Sequence, residues 1–331
     1  MSLTPAAPQD LVTPRSTDRP VLPAGRTAHL PGRGSMFYRE VAGPPGAPAV
    51  ILLHGLGATA DLNWHVILEP LGRHFRVIAP DHRGHGRGIR STEPFQLTDC
   101  ADDVVALADS LGIDRFTVVG YSMGGPIAQL IWRRHPGRVH GLVLCATARD
   151  FRGHPRERLL FGGLGVLATL PHLAAVRAGV HGAEWIASHL FARHPQADWA
   201  VAELQRSDVG TVLEAARDLG SFTSREWVHE IDVPTAVIVT CRDRLVPPHR
   251  QHKLAQAIPG AVTYEIDGDH HVVAAEADDF THTLVGACRA VSPWPPAEDE
   301  LATRRRRRRF GTRRRRVALL PAAAAESTSA S

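Results

Sequence analysis

The segment Gly120-Tyr121-Ser122-Met123-Gly124-Gly125 decides the fold of this 331-residue chain. It follows the short apolar run 116–119, rich in β-branched residues, and precedes a helix-like segment over 123–135. A strand, the pattern G-x-S-x-G and a helix are typical of a sharp turn that exposes a serine. Glycines at 120 and 124 leave room for the helix to fold back over the sheet. The pattern therefore predicts a reactive serine at position 122.

Segments of strand and helix character alternate on both sides of this turn. The patterns predict strands over 26–30, 35–41, 47–53, 76–79, 116–119, 141–145, 234–240 and 261–266. They predict helices over 61–74, 97–111, 123–135, 248–258 and 273–290. This alternation indicates an α/β fold with a mostly parallel central sheet and helices on both faces.

The alternation is interrupted once, and the composition changes at both ends. Residues 147–230 have helical patterns without a clear strand, which predicts a helical cap inserted into a core of residues 25–146 and 231–291. Residues 1–24 are rich in proline and polar side chains, and residues 292–331 in proline, glutamate, arginine, alanine and serine. Both terminal segments are predicted to be disordered.

The net charge of +4 comes from the C-terminal segment. Ten arginines lie in two runs, 304–309 and 313–316. The rest of the chain has 28 basic and 34 acidic residues. The four cysteines are scattered without a C-x-x-C pair, so neither a disulfide framework nor a zinc site is indicated. No secretory signal and no membrane-spanning stretch is visible, and we expect a cytoplasmic protein.

Two further polar clusters follow predicted strands. Cys241-Arg242-Asp243 comes directly after the strand over 234–240, and Asp267-Gly268-Asp269-His270-His271 after the strand over 261–266. Because the carboxyl ends of parallel strands meet at one edge of a sheet, these side chains are expected near Ser122.

Five motifs together resemble the α/β hydrolase superfamily, especially its capped esterase and haloperoxidase-like branch. They are HGLG (54–57), DHRGHG (81–86), GYSMGG (120–125), CRDRLVP (241–247) and DGDHHVVAAE (267–276), and the resemblance extends over residues 25–291. It implies the α/β-hydrolase fold with an inserted helical cap, and a triad in the chain order nucleophile, acid, histidine.

The resemblance also implies roles for single residues. Ser122 would be the nucleophile and Asp243 the acid. Asp150, shortly after the strand over 141–145, is a competing acid, because some members of the superfamily carry theirs at this place. The catalytic histidine of similar sequences precedes a glutamate by five positions, which favours His271 over His270, since His270 fills a slot usually occupied by glycine. The backbone N–H groups of Leu56 and Met123 would form the oxyanion hole.

The other histidines and the arginine runs have simpler interpretations. His54 is expected to pack beneath the site rather than to transfer protons. His82 and His85 are interpreted as part of a structural loop rather than as metal ligands, because no third ligand is near in the sequence. The arginine runs over 304–316 are compatible with an anionic partner. The remaining chain has more acidic than basic residues, which argues against nucleic-acid binding.

These observations predict a cofactor-independent serine hydrolase that cleaves a small ester-type substrate, a carboxylic ester or thioester, through an acyl-enzyme. The partner is expected to be a small apolar acyl compound. Acyl transfer and C–C bond hydrolysis remain alternatives because the same triad serves them. A non-catalytic ligand-binding or scaffolding protein on the same fold is the alternative from another class. The substrate and the oligomeric state are left open.

Overall fold

The computed structural model describes residues 19–151 and 196–292. Its strands are β1 (Gly25–Leu30), β2 (Gly34–Val41), β3 (Ala49–Leu53), β4 (Arg76–Pro80), β5 (Phe116–Tyr121), β6 (Val139–Cys145), β7 (Thr235–Thr240) and β8 (Val262–Ile266). Its helices are α1 (Ala60–Trp64), α2 (Leu68–Gly72), α3 (Leu97–Ser110), α4 (Gly124–Arg134), α5 (Ala197–Leu204), α6 (Val209–Ser221), α7 (Pro248–Ala257), α8 (Val272–Ala275) and α9 (Ala277–Val291).

All eight strands form one sheet in the order β1-β2-β4-β3-β5-β6-β7-β8. The pairs β1–β2 and β2–β4 are antiparallel, and every later pair from β4 to β8 is parallel. The prediction of a mostly parallel α/β sheet is therefore confirmed. β5, which leads into Ser122, lies near the middle of the sheet, where both neighbouring strands support it.

The core forms on both faces of the sheet because successive strand side chains point in opposite directions. In β3, Ile51 and Leu53 belong to the apolar cluster that includes residues of α3, α4 and α7. Val50 and Leu52 belong to a second cluster with residues of α1, α2 and α9. Burial on both faces explains why β3 is apolar at every position rather than at alternate ones.

The structure differs from the predicted elements mainly by dividing two helices. The helix expected over 61–74 is divided into α1 and α2, and Pro70 lies in the first turn of α2. Proline has no N–H to donate to the carbonyl four residues earlier, so a continuous helix would lose a hydrogen bond there. The helix expected over 273–290 is divided at Glu276, whose φ of −119° and ψ of 51° are not helical.

The predicted segments at the ends and in the insert are described only in part. Residues 1–18 and 293–331, which include most of the two predicted disordered ends, lie outside the described residues, and so do residues 152–195 of the predicted cap. The described remainder of the cap contains helices α5 and α6 and a 3₁₀ turn at Val228–Glu230. The division into core and cap stays a prediction. Among the described helices, none is long and apolar enough to cross a membrane.

Two glycine-to-alanine changes should alter stability in opposite directions. Gly286 is exposed within α9, and Gly112 follows α3 with φ of +63°. At either position, an added Cβ would have no other atom within 4 Å. Gly286→Ala should stabilise the fold by about 1 kcal/mol through helix propensity. Gly112→Ala should destabilise it by about 1–2 kcal/mol, because alanine disfavours positive φ. Urea unfolding measures the free energy of unfolding of both variants. Changes of the same sign would contradict the assigned backbone conformations.

Candidate active site

Ser122 occupies the strained turn that the glycine-rich motif predicts. It follows the last residue of β5 and has φ of +52°, a left-handed conformation that non-glycine residues rarely adopt. Its backbone N–H donates to the Cys145 carbonyl at 3.0 Å. Its own carbonyl accepts hydrogen bonds from the Gly125 N–H at 2.9 Å and from the Thr147 hydroxyl at 2.8 Å. Contacts from β6 and α4 therefore hold the serine in this conformation.

The flanking glycines allow the close approach of α4 to the sheet. A Cβ at Gly120 would lie 2.3 Å from the Gly124 carbonyl oxygen, and a Cβ at Gly124 would lie 2.3 Å from the Leu53 carbonyl oxygen. Both obstacles are backbone atoms, which cannot move aside as a flexible side chain would. The G-x-S-x-G pattern is thus a steric requirement of this turn.

His270 connects Ser122 to Asp243. Its Nε2 lies 2.9 Å from the Ser122 Oγ, and its Nδ1 lies 2.7 Å from the Asp243 Oδ2. The carbonyl of His270 accepts a hydrogen bond from the Tyr121 hydroxyl at 2.7 Å, which fixes the backbone beneath the ring. Ser122, His270 and Asp243 come from the carboxyl ends of β5, β8 and β7 and meet at one edge of the sheet.

The choice of His271 from the spacing to Glu276 is corrected by this geometry. His271 directly precedes α8, its side chain is 40% exposed, and its Nδ1 lies 3.4 Å from the Asp269 Oδ1. Its ring centroid is 6.2 Å from that of His270, and the two rings are perpendicular. Both histidines follow the same strand, so the conformation of the loop, held by Tyr121, decides which ring faces Ser122. No local sequence signal indicates this contact.

The surroundings of Asp243 favour its ionised form. Burial is the largest single influence and would raise the pKa of this carboxyl, but the hydrogen bonds from His270, the Val246 N–H and the Thr240 hydroxyl together outweigh it and lower the pKa. Oδ1 accepts the backbone N–H groups of Leu245 and Val246, each at 2.8 Å, and Oδ2 accepts the Thr240 hydroxyl at 2.8 Å. The carboxylate is thereby held in one orientation toward the imidazole.

Asp150, the second candidate acid, is engaged elsewhere. It forms ion pairs with Arg225 at 2.9 Å and with Arg250 at 3.3 Å. Burial disfavours its charge, but the hydrogen bond and positive charge of Arg225 lower its pKa. Its carbonyl also accepts a hydrogen bond from Arg250. Asp150 therefore links the segment after β6 to α7 and makes no contact with His270 among the described interactions.

The HGLG segment lies against Ser122. A Cβ at Gly55 would be 3.4 Å from the Ser122 Cβ, so Gly55 lies close to the side chain of Ser122. Leu56 follows this glycine and Met123 follows the serine. Among the described residues, neither the Leu56 N–H nor the Met123 N–H donates to a backbone carbonyl. Two unpaired donors beside a serine hydroxyl are what an oxyanion hole requires.

His54 connects the HGLG segment to the loop after β4. Its Nδ1 lies 2.8 Å from the Gly55 carbonyl oxygen, and its Nε2 lies 3.0 Å from the His82 backbone nitrogen. The carbonyl requires a donor and the N–H an acceptor, so the proton resides on Nδ1. Burial lowers the pKa of His54 to about 4, which keeps the ring neutral. His54 thus packs beneath the site, in agreement with the interpretation from sequence.

His82 and His85 are also buried, with ring centroids 4.3 Å and 5.4 Å from that of His54. Burial lowers the pKa of His85 to about 3 and that of His82 well below its ordinary value. In the part of the chain that the structure describes, no group of three or more histidine, cysteine, aspartate or glutamate side chains is placed to hold a metal ion.

Comparisons with known proteins agree with this architecture. The sequence profile of the alpha/beta hydrolase fold matches residues 48–278. A protein of Azorhizobium caulinodans named putative carbamate hydrolase RutD is 30% identical over 261 residues, which are 78% of this chain and 96% of that protein. A poly(3-hydroxyalkanoate) depolymerase of Ectopseudomonas oleovorans is 28% identical over 241 residues, which are 71% of this chain and 82% of the depolymerase.

A solved structure is similar over a comparable length. The enol-lactonase of Burkholderia xenovorans LB400 superposes with a TM-score of 0.69 at 28% identity, covering 80% of this chain and all of that one. The chain belongs to the alpha/beta hydrolase fold family, and the relatives named above are hydrolytic enzymes.

Substitution of each histidine should separate their roles. His270→Ala should lower kcat/KM for an activated ester on the order of 10⁴-fold, because it removes the imidazole that lies 2.9 Å from the Ser122 Oγ. His271→Ala should change it by less than about tenfold, because its ring contacts neither Ser122 nor Asp243. Steady-state kinetics with a p-nitrophenyl ester measures both variants. A larger loss in His271→Ala than in His270→Ala would overturn the assignment.

The two candidate acids should likewise behave differently. Asp243→Asn should lower kcat on the order of 10⁴-fold, because the asparagine amide does not stabilise the required histidine tautomer. Asp150→Asn should leave kcat nearly unchanged and destabilise the fold by about 1–3 kcal/mol through its lost ion pairs.

The effect of Asp150→Asn on stability should depend on pH. Because the folded pKa of Asp150 is lowered, its contribution is present above the unfolded pKa near 4 and is lost as the pH falls through the folded pKa. The stability difference between wild type and Asp150→Asn should therefore shrink on acidification below pH 4. Denaturant unfolding at pH 7 and pH 3 measures it, and a difference that grows at pH 3 would contradict the ion pairing.

Proposed function

We propose that this protein is a serine hydrolase that cleaves an ester-type substrate through an acyl-enzyme on Ser122. The observation that carries the proposal is the continuous hydrogen-bonded chain from the Ser122 Oγ through both nitrogens of His270 to Asp243. Serine alone is a poor nucleophile near neutral pH, and a base at 2.9 Å removes this obstacle.

The reaction follows from the positions of these groups. The Nδ1–H of His270 donates to Asp243, so Nε2 has a free lone pair for the serine proton. Ser122 Oγ bonds to the substrate carbonyl carbon as its proton moves to Nε2, and Asp243 stabilises the imidazolium that forms. The negative charge that develops on the carbonyl oxygen is held by the N–H groups of Leu56 and Met123.

The second half of the reaction releases the acyl group. The imidazolium of His270 gives its proton to the leaving oxygen as the carbon–oxygen bond breaks. A water molecule then gives its proton to Nε2 and attacks the acyl carbon, and the serine is regenerated as the proton returns to its Oγ. All protons are transferred within the site, and no electrons are exchanged with another group.

The names of the relatives support this class of bond. A carbamate, a lactone and a poly(3-hydroxyalkanoate) each contain a carbonyl carbon bonded to an ester-type oxygen, which is the group that Ser122 would attack. We propose a small acyl compound of this kind as the substrate. Residues 147–230, which the sequence predicts to cover the site, would select its chain length.

A fluorophosphonate and an ester panel of varied chain length test the proposal. The wild type should be labelled on the peptide that contains Ser122 and should release a stoichiometric burst of p-nitrophenol when deacylation is slower than acylation. Ser122→Ala should lose the label and at least about 10³-fold in kcat/KM. Ser110→Ala, which removes an equivalent hydroxyl on α3, is the matched control and should retain both.

Two results would contradict the proposal. Labelling that persists in Ser122→Ala would show that another residue is the nucleophile. Hydrolysis of carbamates, lactones and esters by Ser122→Ala at the wild-type rate would exclude the acyl-enzyme. Product analysis with an added alcohol acceptor distinguishes hydrolysis from acyl transfer.

A further inference from the structure

Asn63 is a buried polar residue beside the site to which the motifs assign no role. It lies on α1, and only 6% of its surface is exposed. Its side-chain Oδ1 accepts the Gly55 N–H at 3.1 Å, and its backbone N–H donates to the Thr59 carbonyl at 3.0 Å. Both ends of the residue are therefore held in place.

The orientation of the Asn63 amide follows from this contact. The Gly55 N–H requires an acceptor, so the oxygen of the amide faces Gly55 and the nitrogen faces away. This Nδ2 has two N–H donors, is buried, and has no hydrogen-bond partner among the described residues. Buried donors left unpaired cost about 1–3 kcal/mol, and an unpaired group of this kind in a native site calls for an explanation.

The oxygen of this amide and the Cβ of Ser122 lie on the same side of Gly55. A carbon at the side-chain position of Gly55 would lie 3.4 Å from the Ser122 Cβ and 3.8 Å from the Asn63 Oδ1. Asn63 and Ser122 therefore approach the same glycine. The Gly55 carbonyl is held by His54, so both sides of this residue are fixed just before the Leu56 N–H.

We propose that the Asn63 Nδ2 donates a hydrogen bond to an oxygen of the substrate acyl group as that group bonds to Ser122. It would act as a third donor beside the N–H groups of Leu56 and Met123, while the Oδ1 holds the peptide that precedes Leu56. This inference rests on the proposed acyl transfer to Ser122. It also restricts the substrate, since the acyl group must present an oxygen acceptor on the side of α1.

A purely structural role would not require the donor. An acceptor for the Gly55 N–H is equally supplied by a carboxylate, which carries no N–H to leave unpaired. The amide nitrogen adds a desolvation cost that a ligand oxygen would offset. The substitution Asn63→Asp therefore separates the two functions of the side chain, because it keeps the acceptor and removes both donors.

The sequence permits a direct spectroscopic test. Asn63 is the single asparagine among 331 residues, so protein labelled with side-chain ¹⁵N-asparagine should give one amide resonance pair. A boronic acid forms a tetrahedral adduct with the Ser122 Oγ that places oxygens where the acyl oxygens would be. We expect the Asn63 amide protons to shift downfield when the adduct forms, as detected independently by ¹¹B NMR.

Kinetics of variants at this position provide the second test. Asn63→Asp should lower kcat by about 10²–10³-fold with little change in KM, as for loss of one oxyanion donor. The neutral variant Asn63→Leu, which adds no charge but loses the acceptor as well as both donors, should lower kcat at least as much. Both should weaken boronic-acid inhibition by the same factor as kcat and leave inhibition by the planar carboxylate product unchanged.

Each result has one meaning. If the adduct forms and the Asn63 resonance does not move, or if Asn63→Asp retains wild-type kcat, the assigned role of Asn63 is wrong while that of Ser122 stands. If no adduct forms on the wild type, the proposed function fails and this inference fails with it. Glu69→Gln, an exposed change on the neighbouring helix, is the matched control and should alter none of these values.

Discussion

The close approach of α4 to the central sheet is the constraint on which the site depends. Helix α4 begins two residues after Ser122, and its first carbonyl lies where a side chain at position 120 would be. This approach forces Ser122 into a left-handed conformation and places its hydroxyl above the edge of the sheet. The strain costs of order 1–3 kcal/mol, and hydrogen bonds from both sides of the turn hold the serine there.

The neighbouring loops are fixed by buried polar groups rather than by packing alone. Asp81, which follows β4, accepts the backbone N–H groups of Ala60 at 2.7 Å and Arg87 at 2.8 Å. Arg87 also forms an ion pair with Glu203 of α5 at 3.1 Å, and Glu203 accepts the Thr59 hydroxyl at 3.3 Å. Removing one partner would leave a buried charge uncompensated, so these contacts fix the loop after β4, α1 and α5 relative to one another.

Strand and helix positions were largely predictable because they depend on local patterns. β3 and β7 are continuous apolar runs of a length typical of buried strands, and α4 has its apolar side chains at helical spacing. The break in the helix over 61–74 was also encoded locally, in Pro70. Asn63 was not recognised, because its significance depends on a contact with Gly55 that no spacing rule describes.

The sequence by itself determined the fold and the chemical type of the site, since the glycine pattern around Ser122 and the order of strands bring a serine, an acid and a histidine to one edge. Only the tertiary structure decided which of two candidate residues of the same type occupies each position of the site. Asp243 rather than Asp150 faces the histidine, because Arg225 and Arg250 hold Asp150. His270 rather than His271 faces Ser122, because the Tyr121 hydroxyl holds its carbonyl from across the site. Such choices depend on contacts between residues far apart in the chain, which local sequence patterns do not contain.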